Sequence, residues 1–104
     1  MSDMNASTEL IDMKLLEEVA PILRTLAHPM RLRIIDFLKD GEQSVSRIVE
    51  ATGKSQALTS HQLGILRANG AIKARRDGNQ VFYRVADESA LVLLECIRKR
   101  KGTA

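Results

Sequence analysis

Apolar residues recur along this chain first with a helical period and later with an alternating one. Leu16, Val19, Leu23 and Leu26 form one stripe at helical spacing, and Ile11, Leu15 and Ile22 form a second beside it. Helix is therefore expected from about Thr8, carrying more apolar surface than one neighbour covers. The polar stretch 1–7 reads as a flexible N-terminal segment ahead of a single domain over 8–104. Pro29 suits the first turn of a second helix, in which Met30, Ile34 and Phe37/Leu38 share a face, and which runs to about Lys39. Asp40 and Gly41 break it. Ser44 can cap a third helix, Val45 to about Ala51, ended by Thr52 and Gly53. Ser55 caps a fourth, which runs to Asn69 and stops at Gly70.

Beyond Gly70 the period falls to two. Ile72 and Ala74 alternate with Lys73 and Arg75, Val81, Phe82, Tyr83 and Val85 are strand formers, and Asp77-Gly78 between them marks a tight hairpin. A last helix spans about Asp87 to Lys101, with Leu91, Val92, Leu93, Leu94, Cys96 and Ile97 facing nearly every direction. Such a helix needs burial on both sides, and in so short a chain a second copy is the expected supplier. The dimer face is assigned to Leu15, Leu16, Val19 and Leu23 of the first helix and Leu91, Leu93, Leu94 and Ile97 of the last. The fold class is mainly α with a small β-hairpin: four helices, the hairpin, then a fifth helix.

Composition sharpens this picture by exclusion. The 104 residues fit one globular domain, and no apolar run approaches the roughly 20 residues of a membrane span. The N-terminal stretch lacks a signal-peptide pattern, so a cytoplasmic location is expected, with no membrane partner. Cys96 is the only cysteine, which leaves no intrachain disulfide and no multi-cysteine zinc site. The net charge of +3 hides an acidic start beside a basic body. From Lys54 to Ala86 the bases Lys54, Arg67, Lys73, Arg75, Arg76 and Arg84 face one acid, Asp77, as on a surface that meets a polyanion.

A third helix, a short turn at Gly53, a fourth helix and a basic hairpin follow the order of a winged helix-turn-helix, whose second helix enters the major groove. At 100° per residue, Gln56, Ala57, Ser60, His61, Gly64 and Arg67 share a sector about 140° wide, opposite Leu58, Leu63, Ile65 and Leu66. Small residues there permit close approach, Gln56 can pair bidentately with adenine, and Ser60 and His61 can reach base edges or phosphate. Thr59 and Gln62 fall on the packed side. Lys73, Arg75, Arg76, Asn79 and Gln80 lie on or near the hairpin tip, and Ser55 and Arg67 flank the helix, as phosphate or minor-groove contacts. A merely solvated helix face and a hairpin charged only for solubility are the plainer alternatives.

Leu26-Ala27-His28-Pro29-Met30-Arg31-Leu32, Ser44-Val45, Ser55-Gln56 with Ser60-His61-Gln62-Leu63, and Val81-Phe82-Tyr83-Arg84-Val85, in that order, resemble the ArsR/SmtB family of bacterial transcriptional repressors. The resemblance covers roughly residues 10 to 100. It implies a homodimer joined through the first and last helices, double-stranded DNA with an inverted repeat as partner, and repression released by a metal or thiol-modifying signal. The family's sensor positions are altered here. Arsenite and cadmium sensors carry Glu-Leu-Cys-Val-Cys where this chain has Glu42-Gln43-Ser44-Val45-Ser46, and serine hydroxyls are poor ligands for soft metals. Zinc and nickel sensors place Asp, His, His and Glu where Asp87, Ser89, Arg100 and Thr103 stand. Persulfide sensors pair a cysteine in the second helix with one late in the fifth, whereas Asp36 holds the former position and Cys96 lies about a turn and a half before the latter.

No cofactor and no metal is therefore expected, and the signal is left to an unknown small molecule or protein effector. Cys96 reads as a small buried hydrophobe, with a redox role as the alternative. Catalysis finds no spaced acid pair, histidine-carboxylate motif or phosphate loop. The competing class is a protein-interaction adaptor of the same fold, separable by salt dependence because phosphate contacts weaken steeply with salt.

Overall fold

The computed structural model describes residues 9–100; the expected flexible segment 1–7, the expected helix start at Thr8, and Lys101 and Thr103 lie outside them. The element order is α1 (Met13–Leu26), α2 (Pro29–Leu38), β1 (Gln43–Ser44), α3 (Val45–Thr52), α4 (Gln56–Ala68), β2 (Ile72–Asp77), β3 (Gln80–Val85) and α5 (Glu88–Arg100). Helix α1 thus starts later than its apolar stripes suggest. Asp12 is its N-cap, accepting from the Lys14 N–H, and Ile11 precedes it. His28 caps α2, its Nδ1 accepting from the Met30 N–H at 3.2 Å with Pro29 in the first turn, where a missing N–H costs nothing. Asp87 caps α5 by accepting from the Ser89 N–H at 2.9 Å.

The hairpin is not alone. Residues Gln43 and Ser44 pair with Tyr83 and Phe82, so the described sheet has three strands in the order β1-β3-β2, all antiparallel. Two residues are too few to give an alternating signal, which is why β1 was not expected from the pattern. Gly78, at φ +63, turns the β2-β3 connection in the left-handed region that favours glycine.

The core gathers Leu26 of α1, Ile34, Ile35 and Leu38 of α2, Ile48 of α3, Leu63 and Leu66 of α4, Ile72 of β2, and Ala90 and Leu94 of α5. Leu94, expected at the dimer face, is instead 7% exposed within one chain and belongs to this core. Val19, Leu91 and Leu93 are partly buried against the same cluster. Leu15, Leu16, Leu23 and Ile97 do stand exposed, as does Val92. The difference arises because α5 meets α2 and the sheet along one side, leaving Val92 and Cys96 outside, while Ile97 lies on the line of Ala90 and Leu94 and faces an open cleft against Pro29 and Leu32 of α2. Asp36 of α2 accepts a hydrogen bond from Arg98 of α5 and ties the two helices across that side.

Candidate nucleic-acid interface

The helix-turn-helix is built from short polar side chains that satisfy helix ends. Ser44 Oγ accepts from the Arg47 N–H at 3.2 Å and starts α3. Gly53, at φ +69, ends α3 with its N–H on the Val49 carbonyl, the left-handed cap that glycine adopts without a Cβ clash. The Thr52 hydroxyl donates to the Val49 carbonyl at 3.1 Å, so in its 3.2 Å contact with Thr59 the Thr59 hydroxyl is the donor. Ser55 Oγ then accepts from the Leu58 N–H at 3.1 Å and starts α4. Behind α4, Arg31 donates through Nε to Gln62 Oε1 at 2.8 Å and through a terminal nitrogen to the Thr25 carbonyl at 3.0 Å. Thr59, Gln62, Leu63 and Leu66 are buried, which fixes the roll of the helix.

That roll turns Gln56, Ala57, Ser60, His61, Gly64 and Arg67 outward, all exposed, as the helical wheel predicts. Leu58, expected on the packed side, is instead 42% exposed, because in the first turn of α4 the packing is carried by Thr59 against Thr52. A Cβ added at Gly64 would meet nothing within 4 Å, so no packing within the chain requires glycine at this position.

The sheet carries the wing to the same side. Gln56 and Ser60 of α4, Ser44 and Ser46 at the start of α3, and Asn79 and Gln80 at the wing line one cleft of about 340 Å³. Four of these are sequence-predicted site residues brought together. Ser44 and Ser46 were not singled out for this role; the visible signal was only their place at a helix N-terminus, where backbone N–H groups favour anions.

The wing cations differ in their freedom. Lys73 lies directly across from Arg84, and Arg76 across from Val81. The side chains of Lys73, Arg76, Arg84 and Arg67 have no ion-pair or hydrogen-bond partner among the described residues. Like charges facing each other across two strands repel unless an anion sits between them. Arg75 is held internally. Its Nε and terminal nitrogen donate to the two Glu42 carboxylate oxygens at 2.9 and 2.7 Å, and its guanidinium lies 4.8 Å from the centre of the Phe82 ring. The Arg75 hydrogen bonds, with the charges of Arg75 and Arg84, hold the Glu42 carboxyl below its ordinary value of 4.5 against some desolvation.

Residues 28–74 match the family described as bacterial regulatory protein, arsR family. The chain is 40% identical over 80 residues to a biofilm growth-associated repressor of Xylella fastidiosa, covering 77% of this chain and 70% of that protein. The chain belongs to the arsR family. The crystal structure of the transcriptional repressor BigR from Xylella fastidiosa superposes with a TM-score of 0.78 at 38% identity, covering 84% of this chain and 89% of that one. The solution structure of a homodimeric winged helix-turn-helix DNA-binding domain from Mycobacterium bovis gives 0.73 at 34% identity, covering 91% and 90%. This arsR-family chain is thus a winged helix-turn-helix, with β2 and β3 as its wing.

At the family's sensor positions the side chains have other partners. Ser44 is committed to capping α3. Asp36 bonds Arg98 and lies 3.6 Å from Lys39 Nζ, so an ion pair between α2 and α5 occupies the place the resemblance gives to a cysteine. Cys96, read from the sequence as buried, is exposed on one chain. The inward positions of α5 are Ala90 and Leu94, and Cys96 falls off that line. Among the described residues no three His, Cys, Asp or Glu side chains gather at metal-binding distance, and no helix is long and apolar enough to cross a membrane.

Proposed function

We propose that this arsR-family protein is a homodimeric, sequence-specific repressor that acts in the cytoplasm by occupying an inverted-repeat operator. The observation that carries the reading is the outward sector of α4, polar or small throughout, standing beside a wing whose cations Lys73 and Arg76 have no internal partner among the described residues. Gln56, Ala57, Ser60 and His61 face base edges in the major groove; Ser55, Arg67, Lys73, Arg76, Asn79 and Gln80 face phosphate or the minor groove. Arg75 belongs to the same surface, but its charge is shared with Glu42, so its contribution is smaller than that of Arg76. Two copies present two α4 helices to half-sites about 34–36 Å apart.

Selection of a duplex from a random pool, followed by binding across a salt series, tests this. Gln56→Ala should relax preference at one position of each half-site at a cost of about 1–3 kcal/mol, and Arg76→Ala should weaken all sequences alike with a shallower salt slope. Affinity without salt dependence, or no enriched sequence, would instead favour an adaptor that keeps the fold.

A further inference from the structure

On the far side of α4 from the wing lies a cleft of about 710 Å³ between the first turns of α2 and α4 and the end of α3. That volume is in the range of small-molecule sites. Its lining includes His28, Arg33 and Lys54, the apolar Met30 and Leu58, and Gln62, and no carboxylate among the described residues. The side chains of Arg33 and Lys54 have no anionic partner among the described residues. His28 is fixed as the tautomer that keeps a donor free, because its Nδ1 accepts from the Met30 N–H and the ring proton sits on Nε2.

Gln62 supplies an independent observation. The residue is 7% exposed, its Oε1 is held by Arg31, and its amide nitrogen has no acceptor among the described residues. That amide lines the cleft, so its N–H presents a donor that a ligand oxygen there can accept from. Leu58, 42% exposed at the same cleft, would lose its water contact at the same time.

We infer that this cleft binds a small organic anion with an apolar body and that the bound anion weakens DNA binding. The acid group meets Arg33, Lys54, His28 and the Gln62 amide; the apolar body lies on Met30 and Leu58. Leu58 and Gln62 are one turn apart on α4, and Lys54 immediately precedes the cap Ser55, so the ligand acts on the helix from behind and withdraws a cation from beside the phosphate-facing residues. The coupling rests on the DNA-binding reading, whereas ligand binding by the protein alone does not. By linkage, DNA must weaken the anion by the same factor as the anion weakens DNA.

The probe is naphthoate, with the neutral naphthamide as control, titrated calorimetrically into the full chain without DNA. Naphthoate should bind, with naphthamide at least about tenfold weaker, and Arg33→Gln and Leu58→Gln should each weaken naphthoate at least about fivefold while leaving the melting temperature within a few degrees. Saturating naphthoate should then lower affinity for the selected duplex about 5-fold or more. Absence of binding at about 1 mM naphthoate, equal binding of naphthamide, or unchanged binding by both variants would overturn the site. If Arg33→Gln flattens the salt slope for DNA with no anion present, the cleft is part of the phosphate track and the ligand proposal fails. Failure of DNA binding alone, with naphthoate still bound and both variants weakened, would remove the coupling and leave the site standing.

Discussion

Gly64 separates folding from function at a single residue. Glycine within a helix costs about 0.5–1 kcal/mol relative to alanine, and here the added Cβ has open space. Gly64→Ala should therefore raise stability by about that amount in denaturant titration. Gly64→Leu, which projects further from the same exposed face, should leave the fold intact and reduce affinity for the selected duplex by an order of magnitude or more. Undiminished binding by Gly64→Leu would show that the helix does not approach DNA along this face. Residue readings succeeded where a helical period governed the side chain: Thr59 and Gln62 are buried as expected, and Gln56, Ser60 and Arg67 face out. They failed at Leu58, Leu94 and Cys96, because hydrophobicity says that a side chain seeks burial but not whether its own chain or another supplies it.

At the scale of elements, the helices were legible because their ends are written in local chemistry: Ser44, Ser55 and Gly53 act within three or four residues of themselves. Strand β1 and the Glu42–Arg75 pair were not, since both depend on residues more than 30 positions apart. That pair ties the α2–α3 connection to the wing, and its pH dependence has a definite sign. Because the folded-state carboxyl is held below the ordinary value of 4.5, the pair's stabilisation is present above that value and is lost as pH falls through the lower, folded one. Glu42→Gln should remove this acid-side dependence from amide exchange protection of β2 and β3 while leaving the neutral-pH fold unchanged. A wing whose protection falls with acid equally in both proteins would show that the pair does not order it. The same substitution releases Arg75, so the salt slope for DNA should steepen by up to about one phosphate contact.

The whole molecule has apolar surface that one copy cannot cover. Every residue from 9 to 18 is exposed, including Leu10, Ile11, Met13, Leu15 and Leu16, so the first turns of α1 leave much of their apolar surface uncovered by the described residues. An isolated stretch of this kind is marginal in water, and Leu23 of α1 and Val92 and Ile97 of α5 add to the uncovered area. If a second copy covers α1 and α5, then Leu23→Asp and Val92→Asp each place a charge in an apolar interface, and sedimentation should show monomers at micromolar concentration. Leu94→Asp must behave differently: it buries the charge in the chain's own core, so it should lose cooperative unfolding altogether rather than dissociate. The two classes of variant are separated by circular dichroism, with most helix retained in the first and lost in the second. Monomers present only one α4 each, so Leu23→Asp should bind a full operator no better than a half-site, whereas a Leu23→Asp protein that stays dimeric and binds normally would move the interface away from α1.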